Sequence, residues 1–134
     1  MFKLSKKVEY GILSLQYMAN QNGNIITAKE ISEHLNISFE FLSKTLQSLI
    51  KQGLIESIQG VHGGYKLAKP ADKITFSDVI RALENRSSIV ECLTEDIENC
   101  GRISCCTIKT PMTQIQDKIN NIFDITTIAE IAIY

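Results

Sequence analysis

Four cysteines, Cys92, Cys100, Cys105 and Cys106, fall within 15 residues of one another. A thiolate is both a strong nucleophile and the preferred ligand of soft metals. The spacing is C-x7-C-x4-C-C, or C-x7-C-x5-C when Cys106 is counted in place of Cys105. Structural zinc normally uses paired C-x2–4-C knuckles, and none is present. Adjacent cysteines rarely ligate one ion together. Three separated thiolates plus one further ligand suit an iron–sulfur cluster. The vicinal pair Cys105–Cys106 also suits thiol redox chemistry, and zinc or a few ordinary thiols stay open on spacing alone.

A second set of residues points to nucleic acid. Leu42, Leu46, Leu49 and Ile50 with Phe39 form an apolar helical stripe over roughly 39–52. The opposite face carries Glu40, Ser43, Lys44, Gln47, Ser48 and Lys51, with Ser38 at its start. Such groups accept from cytosine, bond adenine or neutralise phosphate. Phe41 falls between the two faces and is expected to pack against the preceding helix, with contact to a thymine methyl as the less favoured use. Further on, Gln59 and His62 belong to a glycine-rich turn, and Lys66 and Lys69 follow it. His62 at such a tip is commonly just a loop residue, but a protonated imidazole suits the negative minor groove.

These residues need elements to position them. Leu4, Val8, Ile12, Leu15 and Ala19 predict a first helix over 4–20, stopped at Asn22-Gly23. Ile25-Ile26 reads as a short extended pair. Thr27 and Glu30 have the capping-box spacing that opens a second helix, with Ala28, Ile31 and Leu35 inward. Asn36 to Ser38 is a tight turn, Ser38 caps the third helix, and Gly53 ends it in a left-handed conformation. The period then changes to two. Strands are expected at Leu54–Ile58 and Tyr65–Ala68, joined by Gln59–Gly64 as a hairpin. Thr75 to Asp78 opens a helix that runs to about Glu84. Thr110 and Pro111 read as N-cap and first position of the next helix, and Thr127 to Glu130 as a last capping box.

Helix, helix, turn, helix and hairpin is the order of a winged helix-turn-helix. The fold class expected is mainly α with a small β-hairpin wing. Residues 1–70 form the DNA-binding domain and 71–134 a cysteine loop and dimerisation helix. Charge is divided along the same line. Residues 1–70 hold eight Lys and five Glu, net +3; residues 71–134 hold six Lys or Arg and ten Asp or Glu, net −4. A basic front half favours a polyanionic partner. No apolar run approaches the roughly 20 residues of a membrane helix, and no secretory signal is evident. Four clustered cysteines are too sparse for a disulfide scaffold, so a reducing cytoplasm is expected. With two histidines and no phosphate-cradling loop before a helix, an enzyme is not expected.

The chain resembles a known family. Leu4-Ser5-Lys6 with Tyr10-Gly11, Ile31-Ser32 to Ile37-Ser38, Leu42, Leu49, Gly53-Leu54-Ile55, the wing Gly60-x-x-Gly63-Gly64-Tyr65-x-Leu67 and the cysteine loop are similar to the Rrf-two family. That bacterial family includes iron–sulfur and nitric-oxide-sensitive regulators. The resemblance implies a homodimeric transcription regulator that binds double-stranded DNA at a palindromic operator and holds an iron–sulfur cluster. By position the ligands implied are Cys92, Cys100 and Cys106, with Cys105 as the alternative to Cys106. One branch has a histidine three residues after its last cysteine, where this sequence has Lys109. Other members take an acidic ligand from the first helix, and Glu9 occupies that position here.

The dimer helix has independent support. Ile108, Met112, Ile115, Ile119 and Ile122 step by four and three, the coiled-coil seam pattern. A competing class is a thiol- or zinc-based regulator of the same fold, or a metal-bearing interaction module that does not bind DNA. The lysines, the polar helix face and the wing favour the DNA-binding class.

Overall fold

The computed structural model describes residues 3–84 and 107–132. The cysteine expectations at Cys92, Cys100, Cys105 and Cys106 lie outside the described residues.

Helix α1 spans Lys6–Ala19 and starts where Ser5 accepts a hydrogen bond from the Val8 N–H. Val8, Gly11, Ser14, Leu15 and Met18 are buried, the three- and four-residue steps of one helix face. Gly11 is there because a helix passes close by. A Cβ at this position would sit 2.3 Å from Leu83 Cδ1. Helix α2 spans Ala28–Leu35, with Thr27 accepting from the Glu30 N–H. Helix α3 spans Phe39–Lys51. Gly53 takes φ +75°, which lets the Leu54 N–H return to the Leu49 carbonyl at 3.0 Å and end the helix.

Strands β1 (Ile55–Ile58) and β2 (Gly64–Leu67) pair antiparallel in the register Ile55↔Leu67, Glu56↔Lys66, Ser57↔Tyr65 and Ile58↔Gly64. Ile26 adds a bridge on the other side of β2, exchanging both backbone hydrogen bonds with Tyr65 at 2.9 and 2.7 Å. Gly64 makes this possible, since a Cβ there would lie 2.6 Å from the Ile26 carbonyl oxygen.

A short 3-10 turn at Ala71–Lys73 leads to α4 (Phe76–Leu83). Its capping box is complete, with Thr75 and Asp78 each accepting from the other's backbone N–H. Helix α5 spans Lys109–Ile125 and α6 spans Ile128–Ala132. Thr110 and Pro111 therefore lie inside the first turn of α5, and Ile108 takes the N-cap position expected for Thr110. Proline is tolerated there because first-turn N–H groups have no helical acceptor. Helix α6 returns to the body through Ile128, whose N–H donates to the Ile74 carbonyl, and through Gln16, whose amide donates to the Ile131 carbonyl at 2.8 Å. One core joins Val8, Leu15, Leu42, Leu46 and Leu49 with Ile74, Val79, Leu83 and Ile128.

Candidate nucleic-acid interface

The turn between α2 and α3 is held from both sides. Asn36 adopts the left-handed region at φ 54°, ψ 47°, which Asn tolerates better than most residues. Ser32 then pins the turn. Its hydroxyl donates to the Ile37 carbonyl at 2.6 Å, and its own carbonyl accepts from the Ile37 N–H at 3.1 Å. Ile37 is buried beneath. This fixes the angle at which α3 leaves α2. The Ser32 bonds had no signal in the helical periodicity of the sequence.

Helix α3 presents its polar side outward. Glu40, Lys44, Gln47 and Lys51 are exposed, and Ser43 and Ser48 are half-buried. Ser48 donates its hydroxyl back to the Lys44 carbonyl at 3.2 Å, so that proton is already engaged. Ser38 stands at the N-cap position, exposed, but makes no side-chain capping bond. Two expectations about the aromatic residues of α3 are corrected. By spacing Phe39 belongs to the buried stripe, yet it is 55% exposed, because burial begins only at Leu42. Phe41, expected against the preceding helix, has its aromatic partner on α1, with its ring edge-on to Tyr10 at a centroid distance of 5.3 Å. Thr45, unremarked in the sequence pattern, is fully buried and donates its hydroxyl to the Phe41 carbonyl.

The hairpin projects Gln59, Val61 and His62 into solvent, Val61 at 97% exposure. Its tip is built for close backbone approach. A Cβ at Gly63 would lie 2.1 Å from the Ile58 carbonyl oxygen. Lys66 is not an isolated cation, since it faces Glu56 across the strand pair and its Nζ lies 3.2 Å from Glu56 Oε1. Lys69 is exposed.

Glu9 lies on α1, with its side chain 45% exposed and Oε2 3.0 Å from Lys6 Nζ. The hydrogen bond to Glu9, and then the charge of Glu9, hold the Lys6 amine above its ordinary pKa. Among the described residues no group of three or more His, Cys, Asp or Glu is placed to hold a metal. At the end of α4, Glu84 Oε1 accepts from the Ser5 N–H at 3.1 Å. Ser5 caps the helix that carries Glu9, and Glu84 is the last described residue before the cysteine segment.

The sequence profile of Rrf2, iron-dependent transcriptional regulators, matches residues 4–133. The chain belongs to the Rrf2 family. Among Rrf2-type relatives it is 35% identical over 133 residues to the HTH-type transcriptional regulator CymR of Bacillus subtilis, covering 98% of this chain and 91% of that one. It is 28% identical over 130 residues to the HTH-type transcriptional regulator NsrR of Bacillus licheniformis, covering 96% and 91%. The solved structure of CymR (YrzC), the global cysteine regulator of B. subtilis, superposes with a TM-score of 0.80 at 32% identity, covering 100% of this chain and 98% of that chain. T. potens IscR superposes with a TM-score of 0.73 at 26% identity, covering 97% and 85%.

The architecture is the winged helix of Rrf2 regulators, mainly helical with one two-stranded antiparallel hairpin among the described residues. The protein is a DNA-binding regulator of transcription and not an enzyme. No helix among the described residues is long and apolar enough to cross a membrane.

Proposed function

We propose that this Rrf2 regulator is a homodimer whose affinity for a palindromic operator is set by an iron–sulfur cluster on Cys92, Cys100 and Cys106. The observation that carries this is the donor set, three separated thiolates in one short stretch beside a complete winged helix. Soft thiolates match iron–sulfur chemistry by type. When bound, the cluster supplies an iron centre that reacts with oxidants or nitric oxide.

The chain's own residues do the rest. Ser38, Glu40, Ser43, Lys44, Gln47, Ser48 and Lys51 read and hold the major groove. Gln59, His62 and Lys66 contact the backbone or minor groove from the wing. Glu9 is the fourth ligand. The bond from the Ser5 N–H to Glu84 supports this, because it fixes Glu84, eight residues before Cys92 in the sequence, at the start of the helix that bears Glu9. Residues 1–70 make the DNA-contacting unit; residues 71–134 carry the ligands and the dimer helix. Dimerisation is supported by α5, where Ile108, Ile115 and Ile122 recur every seven residues at 55, 42 and 57% exposure. A two-fold dimer reads half-sites about one turn, roughly 34 Å, apart. Such a regulator works in the cytoplasm, with the chromosome.

An anaerobic absorption spectrum of the purified protein tests this. A brown protein with visible charge-transfer bands is expected. One observation favours a second reading, a thiol switch at Cys105–Cys106: the likeness to a cysteine regulator. A colourless protein whose DNA affinity changes with oxidant supports that reading, and stoichiometric zinc supports a zinc site.

A further inference from the structure

One apolar side chain on α3 escapes the packing that governs its neighbours. Leu42, Leu46 and Leu49 are fully buried, whereas Phe39, one turn earlier on the same stripe, is 55% exposed and takes no part in the core. Phe39 is the first residue of the helix. Side chains on a helix lean toward its N-terminus, so this ring projects past the end of the core it would otherwise join. Phe41 is also partly open, at 39% exposure, but it has a ring partner in Tyr10, which Phe39 lacks among the aromatic pairs of the described residues. The remaining outward side chains of α3 are polar, with Ser43 following Phe39 by one turn on the same flank.

In a helix-turn-helix the N-terminal residues of the second helix meet base edges in the major groove. The only apolar group presented there is the C5-methyl of thymine, and phenylalanine is among the side chains that pack on it. We propose that Phe39 is a specificity-determining residue, its ring packing on a thymine C5-methyl in each operator half-site. It adds an apolar contact beside the polar readout by Ser43 and Gln47. The proposal rests on the DNA-binding reading above.

The test uses the whole chain and a duplex that it enriches from a random DNA pool. Single thymines are then replaced by deoxyuridine, which removes the methyl group and keeps every hydrogen-bonding group. Affinity is read by fluorescence anisotropy at fixed salt. Replacing the contacted thymine in one half-site should weaken wild-type binding about three- to fivefold, the factor for burying roughly one methyl group, and replacing it in both half-sites about ten- to twenty-five-fold. Phe39→Ala should bind the thymine duplex more weakly by about that factor and no longer distinguish thymine from uracil. Phe39→Leu should retain part of the distinction. A wild-type protein indifferent to every replacement, or a Phe39→Ala protein that still discriminates, overturns the proposal and leaves DNA binding standing. A pool from which no duplex is enriched overturns both.

Discussion

The backbone N–H of Ser5 donates to the carboxylate of Glu84 at 3.1 Å, joining positions 79 residues apart in the chain. It links the cap of α1 to the end of α4, and the buried contact of Gly11 with Leu83 lies one to two turns further along α1. Removing the acceptor leaves a part-buried N–H without its charged partner. Glu84→Ala should therefore lower stability by about 1 kcal/mol, read as a lower urea midpoint at unchanged slope. An unchanged midpoint would show that water replaces the carboxylate at no cost.

The lysines of the proposed DNA surface differ in their surroundings. Lys44 and Lys51 are exposed on α3, while Lys66 is paired with Glu56. Each phosphate contact contributes a slope of about −0.9 in log affinity against log salt. Lys44→Ala and Lys51→Ala should each flatten that slope, and Lys66→Ala should flatten it less. Glu56→Gln should raise affinity by freeing Lys66. Titrations across salt concentration measure all four, and an affinity indifferent to salt would refute the phosphate contacts.

Much of this surface was legible in the sequence, because its elements are set by local rules. The period-3.6 stripe through Leu42, Leu46 and Leu49, the Thr27 and Thr75 caps and the Gly53 stop each act within a few residues. What was not legible depends on contacts between distant segments. Phe39 obeys the stripe by spacing, yet whether a wall exists opposite it depends on where neighbouring helices end. Tyr10, not a residue of α2, meets Phe41 because α1 crosses α3 at that level. Ile108 replaces Thr110 as the N-cap because a good capping residue is no use once the helix begins before it. The pairings of Ser5 with Glu84 and of Gln16 with Ile131 span most of the chain and leave no periodic trace.

The exposed isoleucines of α5 make the dimer testable without disturbing the core. Ile115→Asp and Ile122→Asp each place a charge in the seam, which a desolvated interface does not tolerate. Sedimentation should then show a 15.0 kDa monomer where the wild type sediments as a dimer. A variant that stays dimeric would place the interface elsewhere.

The ligand set predicts a graded mutational pattern. Cys92→Ala, Cys100→Ala and Cys106→Ala should each abolish the visible absorption of anaerobically purified protein. Cys105→Ala should retain most of it. If Cys105→Ala bleaches the protein and Cys106→Ala does not, the two roles are exchanged.

The cluster is proposed to control operator binding, with Glu9 transmitting the change to α1. A ligand shifts an equilibrium only by its differential affinity for two conformations. Coupling of this kind is typically about 1–3 kcal/mol, or roughly 5- to 150-fold. The most direct measurement is the operator affinity of the cluster-loaded protein against the same preparation stripped of iron, for wild type and Glu9→Ala side by side. Wild type should show a difference of at least about fivefold, and Glu9→Ala should keep its cluster while losing most of that difference. Equal affinities of loaded and stripped wild-type protein would contradict the account.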